Sequence, residues 1–480
     1  MTYLSVILVY LFALIAIGIV KSRKIHTQSD FALAGRTLTP WILVGTMLAS
    51  WIGTGSILGN AGKTYETGMA ALMLPIGSIL GIILLTRIAG KVRSYEKYTV
   101  PEIIGDRYGP VARNLSVFAL VMAYMVIVSY QYNAGGAVLY TILADNTGTS
   151  IISIELATII AAVFIIAYTM LAGLLSVAYT DAANSIIMTL ALVISLPILW
   201  IKAGSWSGME TAFAAMNKSQ HMQFGGVYST MDIINFCLPP FLLVIGDANM
   251  YQRFSASKDV QSARYSTTIL VFAVLFIELL IIGSAWVSSS MIPEAEVGKH
   301  VLIYAAHQFL PTFLGAIMLT TIVGIIISTA DSFLLVPANT LIRDIYLNYI
   351  NPQASEKNIV RLSRLLVLLL GIIAYIVSIG FSRSAGFFER ALYAYTIYGA
   401  AITPALVAAL FWRGATKEGA VASIICGTLV TLFWKELPGL WFWLPTEWYI
   451  SLDEVLPAIS GSLLALICVS YLTQKADPGK

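Results

Sequence analysis

Apolar runs of about twenty residues follow one another along the whole of this 480-residue chain, separated by short charged or Pro/Gly-rich connectors. A helix of that length crosses the hydrocarbon of a bilayer, and inside hydrocarbon each backbone donor and acceptor must be satisfied within the protein. The composition fits that solvent. Charged residues make up 11% of the chain and hydrophobic ones 58%, with a mean hydropathy of +0.83, where soluble domains carry about 25% charged residues. The expectation is an all-α polytopic membrane protein forming a single transmembrane domain.

Runs long enough for a bilayer give about thirteen spans. They fall near residues 3–21, 39–60, 68–88, 111–143, 150–172, 175–201, 228–251, 264–292, 302–340, 361–381, 386–412, 418–434 and 454–473. Two of them, 111–143 and 302–340, are too long for one upright crossing and are expected to tilt or to continue beyond the bilayer. The first run lacks a basic flank before it and a small-residue cleavage site after it, so it reads as a retained span. Cys237, Cys426 and Cys468 lie far apart in apolar runs and suit core packing better than a disulfide framework or a zinc site. With thirteen spans, 21 of the 28 Lys and Arg residues fall on one side. That side is read as cytoplasmic, which puts the N-terminus outside and the C-terminus inside. The net charge of +3 reflects this bias and gives no reason to expect nucleic acid.

Two spans are interrupted. "ASWIGTGSILGN" (49–60) packs three glycines, three hydroxyls and a Trp into an otherwise apolar helix. Small residues alone would serve close helix packing. Five spans later, "CLPPFLLVIGDANMYQR" (237–253) surrounds an intramembrane Asp247 with Pro239, Pro240 and Gly246. Paired interruptions at matching places in successive five-span units are the sequence sign of an inverted-repeat secondary transporter, whose half-helix ends present carbonyls and amides at mid-membrane. Such oxygens suit a hard monovalent cation such as sodium. More oxygen stands in "IIISTADSFLL" (325–335), where Ser328, Asp331 and Ser332 share one helical face with Thr329 beside them. Hydroxyls in a span commonly bond back to their own helix, but that does not account for Asp331. A carboxylate at the centre of a span costs at least about 2.5 kcal/mol and needs a partner or a task.

These residues resemble the sodium:solute symporter family, which includes proline, sialic acid, sodium/glucose and choline transporters. The resemblance rests on "DFALAGRTLTPW" (30–41), "ASWIGTGS" (49–56), "LAGLLSVAYTDAAN" (171–184), "MYQRFSASK" (250–258) and "STADSFLLVPANTLIRDIY" (328–346), in order along roughly residues 1–415. It implies a five-plus-five inverted-repeat, leucine-transporter-like core. Residues 1–38 would form the leading helix and connector, 39–203 and 228–412 the two repeats, and 413–480 two further helices. It implies one sodium held by carbonyls matching Ala49, Ile52 and Ile325 and hydroxyls matching Ser328 and Thr329. A second would lie at positions matching Asp181, Ser328, Asp331 and Ser332. Asp331 replaces a family hydroxyl there, so a second sodium and a proton-linked pair with Asp181 both stand open.

The solute is expected to be small, organic and imported by alternating access. Trp51 matches a tryptophan of the choline branch, and "GMAALMLPIG" (68–77) also resembles that branch. An aromatic cage position aligns with Asp247 instead, and the span containing "MVIVSYQYNAGG" (125–136) holds no Trp, so a choline cage is not expected. Thr54, Tyr130 and Gln131 are candidates to line the pocket beside Trp51. Asp247 either pairs with a cationic or amine-bearing solute or is structural, capping amides or pairing with Arg253. Glu278 in "LFIELLIIG" is expected to have a buried partner. The stretch "KELPGLWFWLPTEW" (435–448) reads as an interfacial aromatic belt, and the basic loop after "MYQR" as orientation and headgroup contact. No HExxH or GxSxG motif occurs, so an embedded enzyme is not expected. The alternatives kept are proton-coupled symport of a neutral polar or zwitterionic solute and a channel or sensor of the same fold. A monomer among lipids, in a bacterial inner membrane, completes the expectation.

Overall fold

A computed structural model of the protein describes residues 2–22, 25–144, 150–293, 298, 300–381, 386–434, 449 and 451–474. Among these residues the architecture is helical throughout, and extended pairing is limited to isolated bridges. Nine helices are long and apolar enough to cross a membrane, or ten if the bent pair Pro40–Trp51 and Gly55–Met73 counts as one span. That falls short of the thirteen spans expected. The expected runs at 150–172 and 175–201 are two helices that meet at a kink at Gly173 within the continuous stretch Ile154–Lys202. Ile76–Ser94 carries Arg87, Lys91 and Arg93, and Lys417–Phe433 has 17 residues. The run at 302–340 is two helices, Val301–Gln308 and Thr312–Thr340. Pro311 starts the second, because it has no N–H to extend the first while its carbonyl accepts from Gly315 N at 2.9 Å. The aromatic stretch 435–448 lies outside the described residues.

Helix starts follow local chemistry. Thr27 and Asp30 form a reciprocal capping box, as do Ser229 and Asp232. Pro40 and Pro101 sit in first turns, where a missing N–H costs nothing. The outward faces are apolar at helical spacing: on Ile154–Lys202, Ile186, Leu190 and Ile194 are 63%, 55% and 51% exposed. Such a stripe suits a lipid solvent and would be costly in water. The centre is different. Nearly every residue of Thr312–Thr340 is buried, packed between Pro110–Ile142 and Ile154–Lys202, with the first broken helix alongside.

The connectors ahead of the first break and after the second are tied to each other. Leu38 N donates to Ala256 O at 3.2 Å and Lys258 N to Leu38 O at 3.1 Å, while Gln252 Nε2 reaches Ala32 O at 2.8 Å. The segments "DFALAGRTLTPW" and "MYQRFSASK", 220 residues apart at that last bond, therefore hold the lower ends of both broken helices together.

The kink in Ile154–Lys202 is at Gly173, with φ 57° and ψ 170°, a region open essentially to glycine alone. It turns the chain so that the Asp181 segment runs beside the first broken helix. A Cβ at Gly173 would also lie 2.8 Å from Ile25 Cδ1. Gly173→Ala is expected to destabilise by about 1–3 kcal/mol and to lower the melting temperature of the purified protein. Gly283→Ala, whose Cβ would meet only Leu196 at 3.6 Å, serves as the control that leaves it unchanged or raises it.

Candidate functional site

The first broken helix ends its regular ladder with Ile52 N on Leu48 O at 2.8 Å and resumes with Ser56 N on Gly53 O at 3.1 Å, after a bend of 51°. A helix end leaves its last carbonyls without donors from the helix itself. Ala49 is one of these, and Ile52 stands at the break with φ −75° and ψ 89°. Thr329 of the buried Thr312–Thr340 helix faces this point, and its hydroxyl donates to Ala49 O at 3.4 Å. Gly53 makes the approach possible, because a Cβ there would stand 2.9 Å from both Cγ2 and Oγ1 of Thr329. Ser328 and Ile325 lie on the same helix, one residue and one turn away. The five oxygens expected around the first sodium thus come from two segments in direct contact.

Beside this seam lies a buried charged cluster. Asp181 is fully enclosed and accepts from Ser328 Oγ at 2.5 Å and Thr46 Oγ1 at 2.6 Å. Arg253, also fully enclosed, sets Nη2 3.5 Å from Asp181 Oδ2 and 2.7 Å from Ser332 Oγ, and Nε 3.0 Å from Thr46 Oγ1. Arg253 sits on a helix, Ala248–Ala256, that is packed inside the protein. Its carboxylate partner is Asp181; Asp247 accepts from other groups. Asp331 is 1% exposed, and its Oδ1 accepts only a long contact from Ser332 at 3.4 Å. Its Oδ2 has no hydrogen-bond partner among the described residues. Two carboxylates and one guanidinium leave the cluster one positive charge short. An orphaned carboxylate oxygen next to serine hydroxyls suits a hard cation or a proton.

The second break is closed differently. Its freed carbonyls are taken by protein hydroxyls: Tyr398 donates to Gly246 O at 2.8 Å, Tyr251 to Ile245 O at 3.0 Å and Thr403 to Leu242 O at 2.8 Å. Asp247 caps the following half-helix by accepting from Asn249 N at 3.1 Å, and receives the Tyr124 hydroxyl at 2.5 Å. Tyr124 in turn packs edge-on against Phe333 and stacks on Tyr398.

The five solute candidates separate. Trp51 is half-buried, stacks on Tyr395 with ring centroids 6.4 Å apart, and lines a cavity of about 40 Å³. Thr54 and Gln131 hydrogen-bond to each other in the interior, Tyr130 is 1% exposed, and Asp247 is engaged as described. None of these four lines the cavity. Its walls come instead from Ser56, Asn60, Phe236, Glu278, Phe388 and Tyr395 among others. Of these the sequence drew attention only to Glu278, and its partners are Ser56 Oγ at 2.6 Å and Asn60 Nδ2 at 3.0 Å.

Two interrupted helices beside a buried helix are the pattern of a broken-helix secondary transporter. The family model for the sodium:solute symporter family matches residues 31–427, and the chain belongs to that family. The sodium/proline symporter of Haemophilus influenzae is 26% identical over 98% of this chain and 94% of its own length. The osmoregulated proline transporter of Bacillus subtilis is 25% identical over 97% and 94%. Among solved structures, a Na+-coupled sialic acid symporter in a substrate-bound outward-open state superposes with a TM-score of 0.81, covering 99% of both chains at 14% identity. A nucleobase-cation-symport-1 family transporter follows at 0.58, covering 92% of this chain and 94% of its own at 12% identity. Both share the fold. The chain is accordingly an integral membrane transporter of a sodium-coupled symporter family, and its relatives are carriers, not enzymes.

Two outcomes follow for the charged seam. Ser328→Ala or Thr329→Ala, removing one hydroxyl from the sodium-facing pair, is expected to raise the sodium concentration for half-maximal thermal stabilisation about tenfold, since 1.4 kcal/mol is a factor of ten. Arg253→Gln leaves Asp181 and Asp331 without a guanidinium, and removing one partner of a buried pair costs about 3–5 kcal/mol. The melting temperature should fall in Arg253→Gln and recover in large part when Asp181→Asn is added.

Proposed function

We propose that this protein imports a small amine-bearing solute of the amino-acid type, driven by sodium and worked by alternating access. The observation that carries this reading is the seam between Thr329 and the broken helix at Ala49 and Gly53. Sodium there is held by the carbonyls of Ala49, Ile52 and Ile325 and the hydroxyls of Ser328 and Thr329. It bridges two segments that must separate when the site opens to the other side. The ion therefore favours the closed seam, and because linkage is reciprocal the solute and the ion raise each other's affinity by the same factor. Asp331, with Ser332 and Asp181, is the place for a second cation, sodium before proton.

The relatives named for proline support an amino-acid-like solute, and Trp51 offers it an aromatic face. Family membership favours sodium over protons as the coupling ion. The number of ions sets what the carrier can do. A membrane potential of 100 mV is worth about 2.3 kcal/mol per charge and a tenfold sodium gradient about 1.4 kcal/mol. One sodium then supports roughly 500-fold accumulation of a neutral or zwitterionic solute, and two roughly 10⁵-fold. The protein is placed in a bacterial inner membrane as a monomer surrounded by lipid, with its N-terminus outside and its C-terminus in the cytoplasm.

The test is thermal stability of the purified protein with L-proline, choline, glucose and sialic acid, each in sodium and in potassium. A ligand at a hundred times its dissociation constant stabilises by about 2.7 kcal/mol. Stabilisation by L-proline in sodium alone is expected. Equal stabilisation in potassium, with a response that follows acidification, would contradict the sodium reading and move coupling to Asp181 and Asp331.

A further inference from the structure

Four intramembrane carboxylates stand near the two breaks. Asp181 pairs with Arg253, Asp331 stands in the same cluster with one oxygen unpartnered among the described residues and outside the cavity, and Asp247 is held by Tyr124 and Asn249 away from the cavity. Glu278 is the fourth. It is 2% exposed on the Val260–Ser289 helix and lines the cavity that Trp51 also lines. Among the described residues no basic side chain comes within ion-pairing distance of it. Lys63, three residues beyond Asn60, turns its charge to Glu66 at 2.9 Å and to the rings of Phe236 and Phe388 at 5.6 and 5.9 Å.

The hydrogen bonds to Glu278 are directional. Ser56 donates to one carboxylate oxygen and Asn60 to the other. A carboxylate has about four lone-pair sites, so both oxygens keep acceptor capacity after these bonds. Ser56 and Asn60 belong to the segment just beyond the first break and Trp51 ends the helix just before it, so they hold the carboxylate across the break from Trp51. The remaining walls include three aromatic rings, Tyr395, stacked on Trp51, with Phe236 and Phe388, among aliphatic and small residues. A carboxylate oriented from behind and flanked by aromatic faces is the arrangement that recognises a compact organic cation, by charge-assisted hydrogen bonds on one side and ring quadrupoles on the other.

We propose that Glu278, oriented by Ser56 and Asn60, binds the ammonium group of the solute in the cavity beside Trp51. Glu278 is then the residue that sets the preference for amines over neutral solutes. The inference rests on the amine-bearing solute argued above and gives it a different carboxylate from Asp247. Sodium at the Ala49–Thr329 seam and the amine at Glu278 meet opposite ends of the same short segment, so each ligand orders an element the other uses.

The test uses purified wild type, Glu278→Gln and Glu278→Asp. Three readouts are taken: stabilisation by sodium alone, binding of L-proline and pyrrolidine in sodium, and binding of tetrahydrofuran-2-carboxylate, which lacks the amine. Glu278→Gln keeps a group that Ser56 and Asn60 can hold, so the sodium response should stay as in wild type while amine binding weakens at least tenfold. Glu278→Asp should fall between. Amine binding within twofold of wild type in Glu278→Gln would overturn the assignment, as would loss of the sodium response together with a lower melting temperature, the mark of a structural role. A wild-type protein that responds to sodium but prefers the amine-free probe would also overturn it while leaving sodium coupling standing. If sodium has no effect on wild type, the coupling reading fails instead, and amine binding without sodium in the three proteins still decides the role of Glu278.

Discussion

A helix that stops in the middle of a membrane exposes carbonyls that lipid cannot satisfy, and the architecture of this protein is organised around where those carbonyls go. The two breaks solve the problem in opposite ways. At the second, the hydroxyls of Tyr398, Tyr251 and Thr403 occupy the carbonyls of Gly246, Ile245 and Leu242, and the Asp247 side chain caps the helix that follows. At the first, the freed carbonyls face a neighbouring helix whose Thr329 makes only a long contact, 3.4 Å, with Ala49. One break is sealed by protein hydroxyls, and the other leaves its carbonyls less fully taken, which is why the proposed sodium is assigned there.

Buried charge follows the same division. A guanidinium locked between Asp181, Ser332 and Thr46 ties the second broken helix to the helix of Asp181 and to the first broken helix. Its geometry is that of a structural pair, costly to break and of little net worth when intact. What remains uncompensated is one carboxylate oxygen at Asp331 and the carboxylate of Glu278, on the two sides of the Trp51 break. In a site that must bind and release cations, these are the places where net charge can be exchanged without dismantling the fold.

Much of this was legible in the sequence because it is local. The glycines of "ASWIGTGS" and the prolines and Gly246 before Asp247 announce their breaks through backbone chemistry. The spacing of Ser328, Asp331 and Ser332 fixes their common face. What was not legible depends on contacts distant in sequence. Glu278 meets Ser56 222 residues away, and Arg253, read as a candidate partner of Asp247, pairs instead with Asp181, 72 residues before it. Hydropathy could not separate Val301–Gln308 from Thr312–Thr340, since the break at Pro311 lies within one apolar run. Nor could it show that the Thr54 hydroxyl would donate to Gln131 Oε1, because either residue alone reads as a pocket polar group.

The central claim is that sodium held at the first break drives uptake of the solute. The most direct measurement is accumulation of radiolabelled L-proline by the reconstituted protein in potassium-loaded liposomes. The membrane potential is clamped with valinomycin, and an inward sodium gradient and an inward proton gradient are imposed in turn. The account predicts uphill uptake under the sodium gradient and none under the proton gradient alone. Accumulation driven equally by protons in sodium-free buffer would contradict it.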